Sequence, residues 1–169
     1  MNEHEQVLDM IRTKNQMAIT LDRSRTVLVV VDMQRYFTEP GFPFTEVFNH
    51  LSPGVAAGYL KRVSELVIPN IQKLLACFRA NNAPVVFTAV GTESGDGQDL
   101  PGWLKELDAL GLTALGSRVW PPVTDPSWEI DSALLPESGE LVINKMSAGT
   151  FATTGLEQRL RNQGINAVV

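Results

Sequence analysis

Positions 27–31 hold Val27, Leu28, Val29, Val30 and Val31 with no polar residue between them. A β-branched run without alternation is how a strand covered on both faces of a parallel sheet reads. A second such run occupies 84–90. It follows a segment, 63–80, in which Ile68, Ile71, Leu74, Leu75 and Phe78 recur on one helical face. A third strand is predicted over 139–144, then a helix over 154–162 closed by Gly164, then a fourth strand from Ile165 to the last residue, Val169. Strands alternating with helices predict the α/β class: a three-layer αβα domain around a doubly wound parallel sheet.

Between the second and third strands, 91–138 carries Pro101, Pro121, Pro122 and Pro126 together with Trp103, Trp120 and Trp128. A connection of this length is usually functional, and a lid or subunit contact with a short helix over 100–110 is expected. Residues 1–24 read as an N-terminal arm or helix, and 25–169 as a single domain. The sequence stops inside an apolar strand, at Ala167-Val168-Val169, where a domain rarely ends, so it reads as incomplete. A polypeptide of only this length is expected to be inactive toward amides and to associate through an open sheet edge.

With 169 residues, 44% hydrophobic and 20% charged, the chain has the composition of one soluble globular domain. A net charge of −5 argues against nucleic acid and membrane partners, which need a cationic surface. The lone Cys77 forms no intramolecular disulfide, and 1–20 has no apolar core of a signal peptide, so a cytoplasmic location is expected.

In sheets of this type ligands bind outside the carboxyl ends of the strands. Asp32 directly follows the first apolar run, and Lys145 follows 141–144 in the same way. Each has a plain alternative, a turn-capping aspartate and a lysine with its head in water. Together they put opposite charges on one edge, where a buried pair costs more to build than an apolar one and so suggests a working site.

The stretch from Val27 through Asp32-Met33-Gln34-Arg35-Tyr36-Phe37 resembles the first strand and Asp-Met-Gln motif of the isochorismatase-like cysteine hydrolases. Val142-Ile143-Asn144-Lys145, followed by Phe151, Thr154 and Leu156, is similar to the family's lysine motif, and 160–165 to the helix and strand that follow. The resemblance, which runs from about Arg25 to the end, implies a metal-free, cofactor-free hydrolase of a small amide, ureide or carbamoyl compound, in a homodimer or homotetramer. It implies an Asp-Lys-Cys triad with Asp32 as base and Lys145 as cation, working through a thioester. The cysteine would lie shortly past Val169. Gln34, Phe37 and Phe151 match substrate-pocket positions, although both phenylalanines suit an ordinary core equally well.

Departures from the family pattern matter too. The metal-binding Asp and two His of the family's nicotinamidases have no counterpart in 91–96; the chain's two histidines, His4 and His50, read as surface residues of the arm and of a loop. Gly149-Thr150 stand where many members have Ser-Ala. Cys77, in the middle of a helix, reads as a half-buried structural residue. The alternatives are a family branch that cleaves a vinyl ether without cysteine, a non-catalytic member, and a receiver-like binding module. The last needs an acidic pair where this chain has Val31-Asp32.

Overall fold

A computed structural model describes residues 2–15 and 20–169. After an N-terminal helix α1 (Glu3–Asn15), the chain enters β1 (Thr26–Val31), then α2 (Arg35–Thr38), α3 (Pro43–Leu51), α4 (Val55–Arg62) and α5 (Ile68–Ala80). Next come β2 (Val85–Val90), α6 (Gly102–Leu115), β3 (Leu141–Lys145), α7 (Thr150–Thr153), α8 (Leu156–Asn162) and β4 (Ala167–Val168). The four strands are all parallel, in the order β3-β2-β1-β4. The chain steps outward from β1 to β3 and then returns to the other side of β1, which makes the boundary of β1 and β4 the switch point of a doubly wound sheet.

Burial explains why β1 and β2 read so clearly. Every residue of β2 is buried, and Leu28, Val30, Val85, Phe87 and Ala89 pack against Leu75 of α5 on one face. Val27 and Val86 pack against Leu156 and Leu160 of α8 on the other. Together these layers form the predicted three-layer arrangement. A third cluster, beyond the carboxyl end of β2, joins Tyr36, Val47, Leu104, Val119 and Trp120.

Several element boundaries depart from expectation for identifiable reasons. The helix predicted over 63–80 is part of a longer helical run that begins with α4 and passes through a π segment, Val63–Val67. There the Ile68 N–H donates to the Val63 carbonyl, a widened turn directly before Pro69, whose missing N–H breaks the ordinary ladder. Leu74 is 40% exposed rather than core, and Cys77 is exposed rather than half-buried, because α5 meets the sheet along the narrower stripe of Ile68, Ile71, Leu75 and Phe78. His50 lies exposed in the last turn of α3, not in a loop.

The long connection is packed into the body rather than laid over it as a lid. Leu100, Leu104, Val119, Trp120, Ile130 and Leu134 are buried, and buried Asp108 accepts from the Val119 and Trp120 N–H groups and pairs with Arg118. Trp103 is 56% exposed, Trp120 is core, and Trp128 lies over Gly91, where an added Cβ would sit 2.4 Å from its ring. Among the described residues no helix is long and apolar enough to cross a membrane.

Candidate active site

Asp32 ends β1 with a φ of 54°, in the left-handed region that few residues other than glycine adopt, Asp and Asn being among them. The turn has a directional consequence. Alternation places Leu28 and Val30 on the α5 face, so an aspartate that simply continued the strand would follow them. Its carboxylate instead meets Thr88 and Lys145, whose strand neighbours Val86, Leu141 and Ile143 belong to the α8 face. The left-handed residue thus carries the acid from one side of the sheet to the other.

The carboxylate is held at both oxygens. Thr88 Oγ1 donates to Oδ1 at 2.8 Å, Lys145 Nζ donates to Oδ2 at 2.7 Å, and the Asp32 N–H donates to the Thr88 carbonyl at 3.0 Å. Lys145, the last residue of β3, also donates to the Ser147 carbonyl at 3.1 Å. Its third N–H has no acceptor among the described residues. The two charges are unequally buried: the lysine side chain is 3% exposed and the aspartate 22%. The anion therefore keeps a window to the outside while the cation is closed in.

Gln34, expected to touch substrate, is 0% exposed, with its amide engaged by backbone. Its Oε1 accepts from the Val90 N–H at 2.7 Å, and Nε2 donates to the carbonyls of Val90 at 3.1 Å and Trp128 at 2.6 Å. β1 stops short of the end of β2, and the side-chain amide stands in for the missing stretch of strand, satisfying groups that would otherwise be orphaned. Tyr36 adds a hydrogen bond to the same Val90 carbonyl; burial pushes its phenol well above its ordinary range, and the nearby Asp32 charge adds to this.

Phe37 is half-buried in an aromatic cluster, with ring centroids 4.1 Å from Tyr36 and 4.6 Å from Phe44. Phe151 is 44% exposed on α7 and lines a cavity of about 210 Å³ with Leu160, Ile165 and Val168. The structure thus brings Asp32 and Lys145 into contact, and no ring contact links Phe37 with Phe151. Cys77 lies beside Leu21 and Thr26 at the amino end of β1, the length of a six-residue strand, about 20 Å, from Asp32.

Two participants escaped the sequence reading. Thr88 is the one hydroxyl in an otherwise apolar strand, a signal that was available. Asn144 stands inside the lysine motif without a role assigned to it; it donates to the Gly91 carbonyl and to Glu93, and accepts from the Trp128 indole, partners its position in the motif does not indicate. Beside it, burial pushes the Asp99 carboxyl up, but donors from Thr92, Glu93 and Ser94 outweigh burial and hold it at about 2. Among the described residues no three His, Cys, Asp or Glu side chains gather as metal ligands.

Comparison with known proteins adds a frame. A family model described as Isochorismatase domain matches residues 26–169. An N-carbamoylsarcosine amidase of an Arthrobacter species is 27% identical over 86% of this chain and 48% of its own length. The ureidoacrylate amidohydrolase RutB of Serratia proteamaculans is 27% identical over 90% of this chain and 60% of its own. A solved cysteine hydrolase from Pseudomonas syringae pv. phaseolicola superposes with a TM-score of 0.66 at 27% identity, over 89% of this chain and 60% of that one. The chain thus spans between about half and three fifths of the length of these relatives.

Proposed function

Because this chain belongs to the isochorismatase family, we propose that it forms the acid-base half of a hydrolase cleaving a C–N bond of a small amide, ureide or carbamoyl compound. The observation that carries the reading is the unequal pair: an enclosed Lys145 ammonium fixing an Asp32 carboxylate that retains an opening. A lysine held in this way fixes the carboxylate in place, and an aspartate with an open side can exchange a proton with a reactant.

The chemistry needs a thiolate, and Cys77, at the opposite edge, is not placed to supply it. In a polypeptide that continues β4 past Val169, a cysteine at that strand's carboxyl end would stand beside Asp32, because β4 pairs with β1. Asp32 takes the thiol proton, and the sulfur attacks the carbonyl carbon. The free N–H of Lys145 faces the charge that develops. Collapse breaks the C–N bond as Asp32 returns its proton to the leaving nitrogen. Water then gives a proton to Asp32 as its oxygen attacks the thioester carbonyl; the C–S bond breaks, and Asp32 returns that proton to the departing sulfur, which restores the thiol and the carboxylate. A cytoplasmic homo-oligomer is the setting in which we place it.

The test is ammonia release from N-carbamoylsarcosine and ureidoacrylate, offered as probes to the polypeptide that carries the β4 cysteine. Asp32→Asn and Lys145→Met should each lower kcat/KM by about 10²–10⁴, the range of a positioned acid-base group. Retention of activity in either variant overturns the assignment.

A further inference from the structure

Thr88 is fully buried in the middle of β2, and its register neighbours are Val31 of β1 and Ile143 of β3. It therefore lies between the strands that deliver Asp32 and Lys145. It holds Asp32 twice, accepting from the backbone N–H and donating from its hydroxyl to Oδ1. The carboxylate's other oxygen belongs to Lys145. The titratable groups facing the carboxyl are Lys145 from β3 and the Tyr36 phenol from α2, whose hydroxyl is directed to the Val90 carbonyl. Thr88 is thus the only uncharged donor on the carboxyl among the described residues.

Chemistry separates the two oxygens. An ammonium can only donate, so Oδ2 must remain an acceptor whether Asp32 is ionised or protonated. A hydroxyl can donate to a carboxylate and can rotate to accept from a carboxylic acid. We infer that Thr88 is a positioning residue for the acid-base step: its hydroxyl holds Asp32 on the Lys145 side of the sheet and leaves Oδ1 as the oxygen that takes and returns the proton. The inference rests on the proposed role of Asp32 and adds to it which oxygen acts and what holds it there.

The experiment compares Thr88→Val, which keeps the shape and removes the donor, with Thr88→Ser, which keeps the donor. The Asp32 χ1 rotamer is followed by NMR coupling constants on the 169-residue chain. Thr88→Val should release the single rotamer into averaging between rotamers, and Thr88→Ser should restore it. In a polypeptide that continues β4 into a cysteine, Thr88→Val should lower kcat about tenfold with KM within about twofold, and Thr88→Ser should restore it. If Thr88→Val fails to fold, the unaltered protein still decides: the Thr88 hydroxyl proton should be slow to exchange and should shift upfield in Asp32→Asn, and a fast-exchanging or unmoved proton overturns the inference. An unmoved Asp32 rotamer in a folded Thr88→Val also overturns it and leaves the proposed activity standing. Activity that survives Asp32→Asn overturns the proposed activity and leaves the rotamer result standing.

Discussion

Removing either charge of the buried pair should destabilise the fold unequally, and the inequality follows from the two exposures. Asp32→Asn leaves an ammonium that is 3% exposed facing a neutral amide and the Ser147 carbonyl. An uncompensated charge buried that deeply costs about 3–5 kcal/mol. Lys145→Met leaves a carboxylate that is 22% exposed and still accepts from Thr88. Water can reach it through the opening, so its cost should be nearer that of an ordinary lost charged hydrogen bond, about 1–3 kcal/mol. In a chain of 169 residues each kcal/mol lowers the melting temperature by about 2–4 °C. Asp32→Asn should therefore melt roughly 6–20 °C below the parent and Lys145→Met roughly 2–12 °C below it. The double variant should lose less than the sum, with a coupling of about 2 kcal/mol, because the second change removes a charge already left unpaired. Urea denaturation of the parent, both single variants and the double variant closes this cycle. Additive losses, or a larger loss for Lys145→Met, would refute the view that the enclosed ammonium depends on the aspartate.

Three further outcomes follow from other parts of the structure. Gln34→Leu should cost about 2–4 kcal/mol in urea denaturation, since it strips partners from the buried Val90 N–H and the Val90 and Trp128 carbonyls, whereas a solely substrate-contacting residue would leave stability unchanged. Gly91→Ala should destabilise and alter tryptophan fluorescence, because the new methyl would meet Trp128 at 2.4 Å. The Asp99 carboxyl, held at about 2 when folded and near 4 when unfolded, contributes stability that is present above pH 4 and is lost as the pH falls toward 2; Asp99→Asn should flatten that part of the stability–pH curve, and an unchanged slope would count against the role of its hydrogen bonds from Thr92, Glu93 and Ser94.

The sequence revealed most where a residue's surroundings are uniform along the chain. β2 is enclosed along its whole length and β1 over all but its last residue, so their composition alone marks them, and the charge that follows β1 at Asp32 stands out against it. What stayed hidden depends on relations across the fold. Gln34 belongs to a motif whose resemblance points to substrate, but its amide completes the edge of β2, a role visible only once the relative lengths of β1 and β2 are known. Thr88 stands out as the one hydroxyl of β2, but what it holds is legible only once the register sets it between two other strands. Cys77 was misjudged because a helix's periodicity gives the direction of its buried stripe but not the stripe's width, which the sheet decides. The tryptophans of 91–138 divide among surface, core and a hydrogen-bonded contact with Asn144, and nothing in their spacing distinguishes these fates.

The polar groups buried elsewhere in the molecule obey ordinary rules: Asp108 caps two N–H groups and meets an arginine, and Gln34 completes a ladder. Their removal would leave orphaned partners, so stability alone accounts for them. The pair at the carboxyl edge is different. It combines a left-handed non-glycine residue, a lysine withdrawn almost wholly from water, and an acid carried across the sheet to meet it. Each of these costs stability compared with an apolar strand end, and an apolar pair of similar volume at 32 and 145 would often be as stable or more so. Three local costs converge on one carboxylate, 22% exposed, at the carboxyl end of β1 beside the switch point of the sheet, the end at which doubly wound folds bind ligands. Stability does not account for this combination as it does for Asp108 and Gln34, and departures of this kind from local rules are expected where a site does work.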